Sequence, residues 1–344
     1  MSTLAAIPEQ PRAIAVLHAA LERHSVHHAY LFAGPAGVGK ERTAIALAQA
    51  LLCPLAPDVG CGVCSSCQRV SRLSHPDMPW LMPEDEQVRR NLKGRSDFDH
   101  VPSREIRVDQ VRTLQARVVL RGLESRRKVV LVVGVERMNV QAQNAFLKTL
   151  EEPPADTVMV LVCSAPDRLL PTLLSRCVRV QFAPLSVDYL AGQLELELKL
   201  TPELARTVAA LAGGSLERAL ALDVKRLSSR KELFEAFEGV KAEDLRTVLR
   251  FAETWGSTRE DAEESLELLL VWTRDVMLAR AGEGTLANAD LSDFAREVAA
   301  RRDDTQLHQR QRALSRALNA ISVRNGSARL QVERMMLELV EGRA

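Results

Sequence analysis

The chain has 344 residues, more than one hydrophobic core usually supports, which favours two or three domains. Its 46 lysines and arginines against 45 acidic residues leave a net charge of +1, so no global positive field draws the chain onto nucleic acid or an anionic membrane. The apolar runs are too short to span a bilayer and the first 25 residues lack the pattern of an export signal, so we expect a cytoplasmic protein with no membrane contact.

Short apolar segments in the first half predict buried strands. They are AYLFA at 29–33, VVLVV at 129–133, VMVLVC at 158–163 and VRVQF at 178–182. Segments with helical spacing lie between them, for example 41–52 and 140–150. Because strands that are apolar at nearly every position fit a sheet covered by helices on both faces, the predicted fold class is α/β with a parallel sheet. We assign residues 1–184 to this domain.

A glycine-rich sequence between the first strand and the helix that follows has the spacing of a phosphate-binding loop. Gly34, Gly39 and Lys40 fill the G-x-x-x-x-G-K positions, and Gly37 is a third glycine between them. Glycines let backbone N–H groups converge on phosphate oxygens, and Lys40 would reach the β- and γ-phosphates. The loop predicts that ATP or ADP can bind. A mere tight turn is the alternative, which the strand before and the helix after disfavour.

The magnesium centre of this predicted site lacks its usual ligands. Glu41 stands where a Ser or Thr hydroxyl would hold Mg²⁺, and Thr43 would point to a different side of the helix. Gly134 and Val135 take the strand-end positions of two expected acidic residues, and we expect Glu136 to point away, towards the surface. The sequence therefore predicts a degenerate site that does not hydrolyse ATP.

Cysteines close together in the chain predict a metal site. Cys53 ends the helix after the glycine-rich loop, and Cys61, Cys64 and Cys67 follow with C-x-x-C-x-x-C spacing. Four thiolates complete a tetrahedral structural zinc site, so we predict a zinc module at 53–67. Free thiols or a redox pair are the alternative, but a redox pair has no use for two further cysteines.

The segment 84–112 is dense in charge and interrupts the alternation of strands and helices. It has seven basic and seven acidic side chains, so its charges balance. We therefore expect a solvated surface excursion rather than a contact with DNA.

After residue 184 the pattern becomes helical throughout. Breaks are expected at 213–215 and 256–257, where glycine and serine cluster. We predict a small helical domain at 185–225 and a second all-α domain at 226–344.

Three segments together resemble the AAA+ subunits of bacterial sliding-clamp loaders over residues 28–182. They are HAYLFAGPAGVGK, VLVVGVERMNVQAQNAFLKTLEEPP and LLSRC. FLKTLEEPP differs by one letter from the usual LLKTLEEPP, and Ser175-Arg176-Cys177 matches the family's SRC motif. The resemblance implies a P-loop (AAA+) domain, a helical lid domain at 185–225 and a helical collar domain for oligomerisation at 226–344. It also implies that the chain is a subunit of the DNA polymerase III holoenzyme, a DNA-directed DNA polymerase. The four-cysteine module also recurs in that family.

The family contains ATP-hydrolysing motors and a stationary subunit without turnover. The departures at Glu41, Gly134 and Val135 point to the stationary subunit, a rigid scaffold. The resemblance implies the gamma/tau and delta subunits as partners, and the sliding clamp and primed DNA through the complex. It also implies that Arg176 is an arginine finger offered in trans, with an ordinary salt bridge as the alternative. The rival functions are an active clamp-loader ATPase motor and a stand-alone nucleotide-sensing module.

Overall fold

The computed structural model describes residues 3–222, 224–240, 244–322 and 326–341. It divides into two compact units. The first covers the described chain up to Tyr189 together with Gly214–Glu217, and the second covers Leu190–Gly213 and the described residues from Arg218 onwards. Among the described residues, no helix combines the length and the apolar composition that a membrane crossing requires.

Five strands of the first unit form one parallel sheet in the order β2-β3-β4-β1-β5. The strands are β1 (Ala29–Ala33), β2 (Trp80–Leu81), β3 (Lys128–Val133), β4 (Thr157–Cys163) and β5 (Val178–Gln181). Every residue of β1 and β4 is buried, as expected for inner strands of a covered parallel sheet. The predicted α/β class with a parallel sheet is confirmed, and the four predicted strands lie within one residue of the observed ones.

Seven helices of the first unit precede or connect these strands. They are α1 (Pro11–Glu22), α2 (Lys40–Leu52), α3 (Ser65–Ser71), α4 (Glu84–Arg89), α5 (Val108–Val119), α6 (Val140–Glu151) and α7 (Pro171–Leu174). Helix α2 packs against β3 and β4, and α5 and α6 share a core with alternate sheet residues such as Leu31, Val132 and Leu161. Because the strands are parallel, β1, β3 and β4 end at one edge of the sheet, where the candidate site lies.

The remainder of the described chain is helical, with no strand after Gln181. Its helices are α8 (Val187–Leu198), α9 (Pro202–Leu211), α10 (Leu216–Ala221), α11 (Val224–Gly239), α12 (Leu245–Trp255), α13 (Arg259–Ala281), α14 (Ser292–Ala300), α15 (Asp304–Ser322) and α16 (Ala328–Glu341). Both predicted breaks separate helices, α9 from α10 and α12 from α13. The assignment of a lid and a collar with a boundary near residue 225 stays a prediction.

Aromatic stacking organises the core of the helical unit. The ring of Trp272, on the long helix α13, stacks on Phe234 with centroids 4.6 Å apart and on Phe294 at 5.1 Å. Helix α13 packs against α14, α15 and α16. Aromatic contacts of this kind contribute beyond their buried area, so they fix the arrangement of these helices.

The expectation of a solvated excursion at 84–112 is wrong in part. Glu84 and Glu86, in α4, are buried although they are charged. Glu84 accepts hydrogen bonds from Arg107 at 2.8 Å and from the backbone N–H of Ser103 at 2.8 Å, and Glu86 pairs with Arg90 at 2.5 Å. The balance of charge in the sequence therefore reflects pairing inside the first unit as well as a solvated surface.

Candidate functional site

The loop after β1 has the backbone shape that its glycines predict. Gly37 and Gly39 have φ angles of +67° and +96°, a region that residues with side chains rarely adopt. Gly39 is the N-cap of α2, so the free N–H groups of the first helical turn are available to an anion at the loop. Gly37 also approaches Ser215 closely, because a Cβ atom on Gly37 would lie 2.5 Å from Ser215 Oγ.

Lys40 is buried at the start of α2 and bonds to the loop itself. Its Nζ donates to the carbonyl oxygen of Gly34 at 2.7 Å and to that of Pro35. Burial lowers the pKa of Lys40, and the negative charge of Glu136 is the largest influence that acts in the opposite direction. The ammonium group is thus held against the loop, where phosphate oxygens would be bound.

The carboxylate of Glu41 is hydrogen-bonded to Arg90, the residue that follows the last turn of α4. Its two carboxylate oxygens accept hydrogen bonds from Arg90, one of them at 2.9 Å. Burial lowers the pKa of Arg90, but hydrogen bonds and charge from Glu41 and Glu86 outweigh burial, so the net pKa is raised. A carboxylate held in this way is not a compact hydroxyl ligand for Mg²⁺. Thr43 does not replace it, since its hydroxyl donates to the carbonyl oxygen of Gly39 at 2.9 Å.

The expected surface position of Glu136 is wrong. Its Oε1 accepts the backbone N–H of Ser164, the residue after β4, at 3.1 Å, and its Oε2 is buried with no hydrogen-bond partner among the described residues. The cause is Gly134, whose φ of +69° ends the alternation of β3 and starts a 3-10 turn at Val135–Arg137. Val135 enters the core, and Glu136 turns towards the sheet edge that carries the phosphate loop.

The four cysteines converge at the C-terminal end of α2. Their Sγ atoms all lie within 4.8 Å of one another, with Cys53 3.6 Å from Cys61, and Cys61 3.9 Å from Cys67. Tetrahedral zinc with Zn–S bonds of about 2.3 Å requires sulfur atoms roughly 3.8 Å apart. The backbone N–H groups of Cys64 and Cys67 donate to the Sγ atoms of Cys61 and Cys64, both at 3.4 Å. The donor set and its spacing fit a structural metal ion.

Arg176 lies at an open cleft of about 480 Å³ formed by the end of α6 and the segment before β5. Its Nη2 contacts Glu151 Oε1 at 2.7 Å, and its Nη1 donates to the carbonyl oxygen of Thr172 at 2.7 Å. Nε2 of His28, which also lines the cleft, is buried and has no hydrogen-bond partner among the described residues. The ion pair with Glu151 agrees with the structural alternative for Arg176 and leaves the role in trans a prediction.

Comparison with known proteins decides the family. A family model described as "DNA polymerase III, delta subunit" matches residues 9–186. The DNA polymerase III subunit delta' of Pseudomonas aeruginosa is 39% identical over 259 residues, which cover 72% of this chain and 70% of that protein. The chain belongs to the delta-prime subunits of DNA polymerase III. The delta-prime subunit of Bacillus subtilis is 29% identical over 287 residues, 82% of each chain.

The tau subunits of DNA polymerase III are matched over a smaller share of their own length. The DNA polymerase III subunit tau of Salmonella typhimurium is 32% identical over 233 residues, which cover 66% of this chain but 33% of tau. The delta-prime subunits of Pseudomonas aeruginosa and Bacillus subtilis share the larger part of both chains. The prediction of a delta-prime clamp-loader subunit, rather than a gamma/tau-like subunit, is therefore confirmed at the level of the family.

The matched region includes every site residue that the sequence predicted. Residues 9–186 contain the phosphate loop, the four cysteines and Arg176. Spacing alone predicted the phosphate loop and the cysteine cluster, whereas Arg176 was predicted from the family resemblance. Sequence reasoning missed Glu136 as a neighbour of the loop and Arg90 as the partner of Glu41, since neither contact has a signal in the spacing of the chain.

Proposed function

We propose that this delta-prime subunit is a rigid scaffold of the clamp loader that does not hydrolyse ATP. The observation that carries the proposal is that the positions of the expected magnesium ligands hold residues that do not bind the ion. Glu41, at the position of the hydroxyl ligand, is engaged by Arg90, and the strand-end positions are Gly134 and the buried Val135. Turnover requires a metal ligand and a group that orients water, and each typically contributes orders of magnitude to the rate.

The phosphate loop itself keeps its anion-binding parts, so the proposal includes binding of ATP or ADP without turnover. Gly34, Gly37, Gly39 and Lys40 supply the loop backbone and the ammonium group. The N-terminus of α2 adds the positive end of the helix dipole. The charge of Glu41 is neutralised by Arg90, which lowers its repulsion of a polyphosphate.

Zinc is the metal that suits the cysteine cluster. Cys53, Cys61, Cys64 and Cys67 offer four thiolates and leave no position open for a substrate, which is typical of structural zinc. Zinc would cross-link the end of α2 to the N-terminus of α3, because Cys53 follows the first helix and Cys64 caps the second. Its contribution is to folding rather than to catalysis.

Arg176 is the group that this subunit would contribute to hydrolysis by a neighbour. A guanidinium in trans stabilises the charge that develops on a γ-phosphate, so a subunit without its own turnover can still take part in catalysis. The contacts of Arg176 with Glu151, the backbone of Thr172 and the hydroxyl of Ser175 leave further N–H groups for a phosphate. The neighbour would be a gamma/tau subunit, with the delta subunit, the sliding clamp and primed DNA as the other partners of the complex.

One observation favours the rival function, an active ATPase motor. The carboxylate of Glu136 faces the phosphate loop, and its unpaired oxygen could hold a water or a cation. Glu136 would then replace the missing strand-end acids.

Steady-state ATP hydrolysis by the purified full chain with excess Mg²⁺ distinguishes the two functions. The scaffold predicts no turnover above background, although the chain assembles with gamma/tau and delta. Turnover that Glu136→Gln abolishes and Glu152→Gln, a change at an exposed acid, leaves intact would establish the motor and refute the scaffold.

A further inference from the structure

A cleft in the helical unit contains an unusual excess of positive charge. It has a volume of about 290 Å³, many times the roughly 30 Å³ that one water occupies. Its charged lining consists of Arg302, Arg310, Arg312, Arg316 and Glu338. With Glu238 below the lining, four arginines face two carboxylates, a net charge of +2. The phosphate loop and Arg176 are not part of this cleft.

Arg310 is the buried member of this arginine cleft. It is 2% exposed, and its Nη2 donates to Glu238 Oε1 at 2.5 Å. Its guanidinium lies over the ring of Phe237, 4.2 Å from the centroid, which fixes its orientation. Nε and Nη1 of Arg310 are buried and have no hydrogen-bond partner among the described residues. Buried guanidinium N–H groups without acceptors cost free energy, so they point to a ligand that supplies acceptors.

A second arginine repeats the pattern at the same carboxylate. Arg302 Nη2 donates to Glu238 Oε2 at 2.8 Å, while its Nε is also buried and unpaired. Glu238 therefore cannot satisfy both guanidinium groups, since its two oxygens are already used by Arg302, Arg310 and the indole Nε1 of Trp272 at 3.0 Å. Three buried nitrogen atoms, Nε of Arg302 and Nε and Nη1 of Arg310, therefore carry four N–H groups without an acceptor among the described residues.

Two further arginines stand at the rim. Arg312 and Arg316 are exposed, on the same helix α15 as Arg310. Arg316 pairs with Glu338, from α16, across the rim. An incoming anion would meet the exposed charges of Arg312 and Arg316 first and the buried guanidinium of Arg310 afterwards. This arrangement suits a group with several oxygen acceptors.

We propose that the arginine cleft binds an oxyanion group, a phosphate or a carboxylate. Guanidinium groups bind both through paired N–H···O contacts. The two sources of such a group are a free phosphate ion and an acidic side chain of a neighbouring clamp-loader subunit. The second source rests on the proposed assembly with gamma/tau and delta, whereas the first does not.

Inorganic phosphate is the probe, titrated into the full chain by isothermal calorimetry at constant ionic strength. We expect saturable binding that Arg312→Gln and Arg310→Gln each weaken roughly tenfold, the loss of about one charge-assisted hydrogen bond. Glu338→Gln should strengthen binding, because it removes a negative charge and frees Arg316. Arg301→Gln, a change at an exposed arginine next to the cleft residue Arg302 but outside the lining, should leave binding unchanged.

The same titration of the assembled complex distinguishes the sources. If phosphate binds the isolated chain but not the complex, a partner's carboxylate occupies the cleft; if it binds both equally, a free ion is the ligand. Absence of saturable binding to the folded chain, or equal binding by the wild type, Arg312→Gln and Glu338→Gln, would overturn the proposal. Arg312 and Glu338 are exposed enough to be changed without unfolding the unit, which circular dichroism would verify, so a failure of Arg310→Gln to fold leaves the test intact. A failure of the chain to assemble with gamma/tau and delta would count against the scaffold proposal, whereas phosphate binding to the isolated chain does not depend on assembly.

Discussion

Removal of the negative charge of Glu238 is expected to destabilise the helical unit strongly. The carboxylate accepts hydrogen bonds from Trp272 at 3.0 Å, Arg302 at 2.8 Å and Arg310 at 2.5 Å. Glu238→Gln keeps the volume and one oxygen, but it leaves two buried guanidinium groups without a counter-charge. Breaking a buried ion pair by removal of one partner costs about 3–5 kcal/mol. Since the amide oxygen retains part of the hydrogen bonding, we expect the free energy of unfolding to fall by roughly 3 kcal/mol, near the lower end of this range.

That loss is large compared with the free energy of unfolding of a typical domain, about 5–15 kcal/mol. It corresponds to a fall in Tm of roughly 6–12 °C, at about 2–4 °C per kcal/mol for units of this size. Glu235→Gln is the matched control on the same helix. Glu235 is exposed and 3.7 Å from Lys231, one turn away, and pairs of this kind contribute about 0.3–0.5 kcal/mol.

Urea unfolding, followed by tryptophan fluorescence, measures the difference in the free energy of unfolding between the wild type and the two variants. In a Trp80→Phe background, Trp255 and Trp272 report on the helical unit alone.

Burial raises the pKa of Glu238, but the charge of Arg310 and the other hydrogen-bond donors outweigh burial, and the net pKa is lowered. The stabilisation is therefore complete above the ordinary value of 4.5 and is lost as pH falls through the lowered pKa. The advantage of wild type over Glu238→Gln should narrow below pH 4.5, and equal stability of Glu238→Gln and Glu235→Gln at pH 7 would refute the reasoning.

Two further predictions concern the metal and the interface. Replacement of Cys64 and Cys67 by Ser should reduce bound zinc from about one ion per chain to none, measured by mass spectrometry of the native protein, whereas Cys177→Ser should retain it; zinc retained by the double variant would exclude this ligand set. Arg176→Ala should leave the complex assembled and lower its clamp- and DNA-stimulated ATPase by roughly tenfold or more at the site that receives the finger, while Arg179→Ala does not; an unchanged rate would remove the role in trans.

Four of the five strands and the cysteine cluster were predictable because they depend on local sequence. The segments AYLFA and VMVLVC are apolar at every position, and they form β1 and β4, the inner strands that are buried throughout. The cysteine cluster was predictable for a similar reason, since short spacing forces Cys61, Cys64 and Cys67 to lie close together whatever the rest of the chain does. The strand β2 was not, because a pair of residues at a sheet edge gives no periodic pattern.

What the sequence did not reveal depends on one backbone angle and on contacts between distant segments. The alternation of a strand predicts that Glu136 points away from the site, but the positive φ of Gly134 breaks that alternation before Glu136 is reached. The pair of Glu41 with Arg90 joins residues 49 positions apart, and no local pattern predicts such a contact. The buried carboxylates of Glu84 and Glu86 were missed because a balanced charge count does not distinguish internal pairing from solvation.

These contacts also bear on why the proposed loss of turnover would be difficult to reverse. Val135, at the position of the second strand-end acid, is fully buried, so a carboxylate there would be desolvated without a partner. Glu41 is one of the two carboxylates that hold Arg90, and its replacement by Thr would leave that half-buried guanidinium with Glu86 alone. Gly134 adopts a left-handed conformation that an aspartate tolerates less well. Restoration of the magnesium ligands would therefore disturb the core, an ion pair and a turn at once, which favours a stable scaffold over a motor that has merely lost one residue.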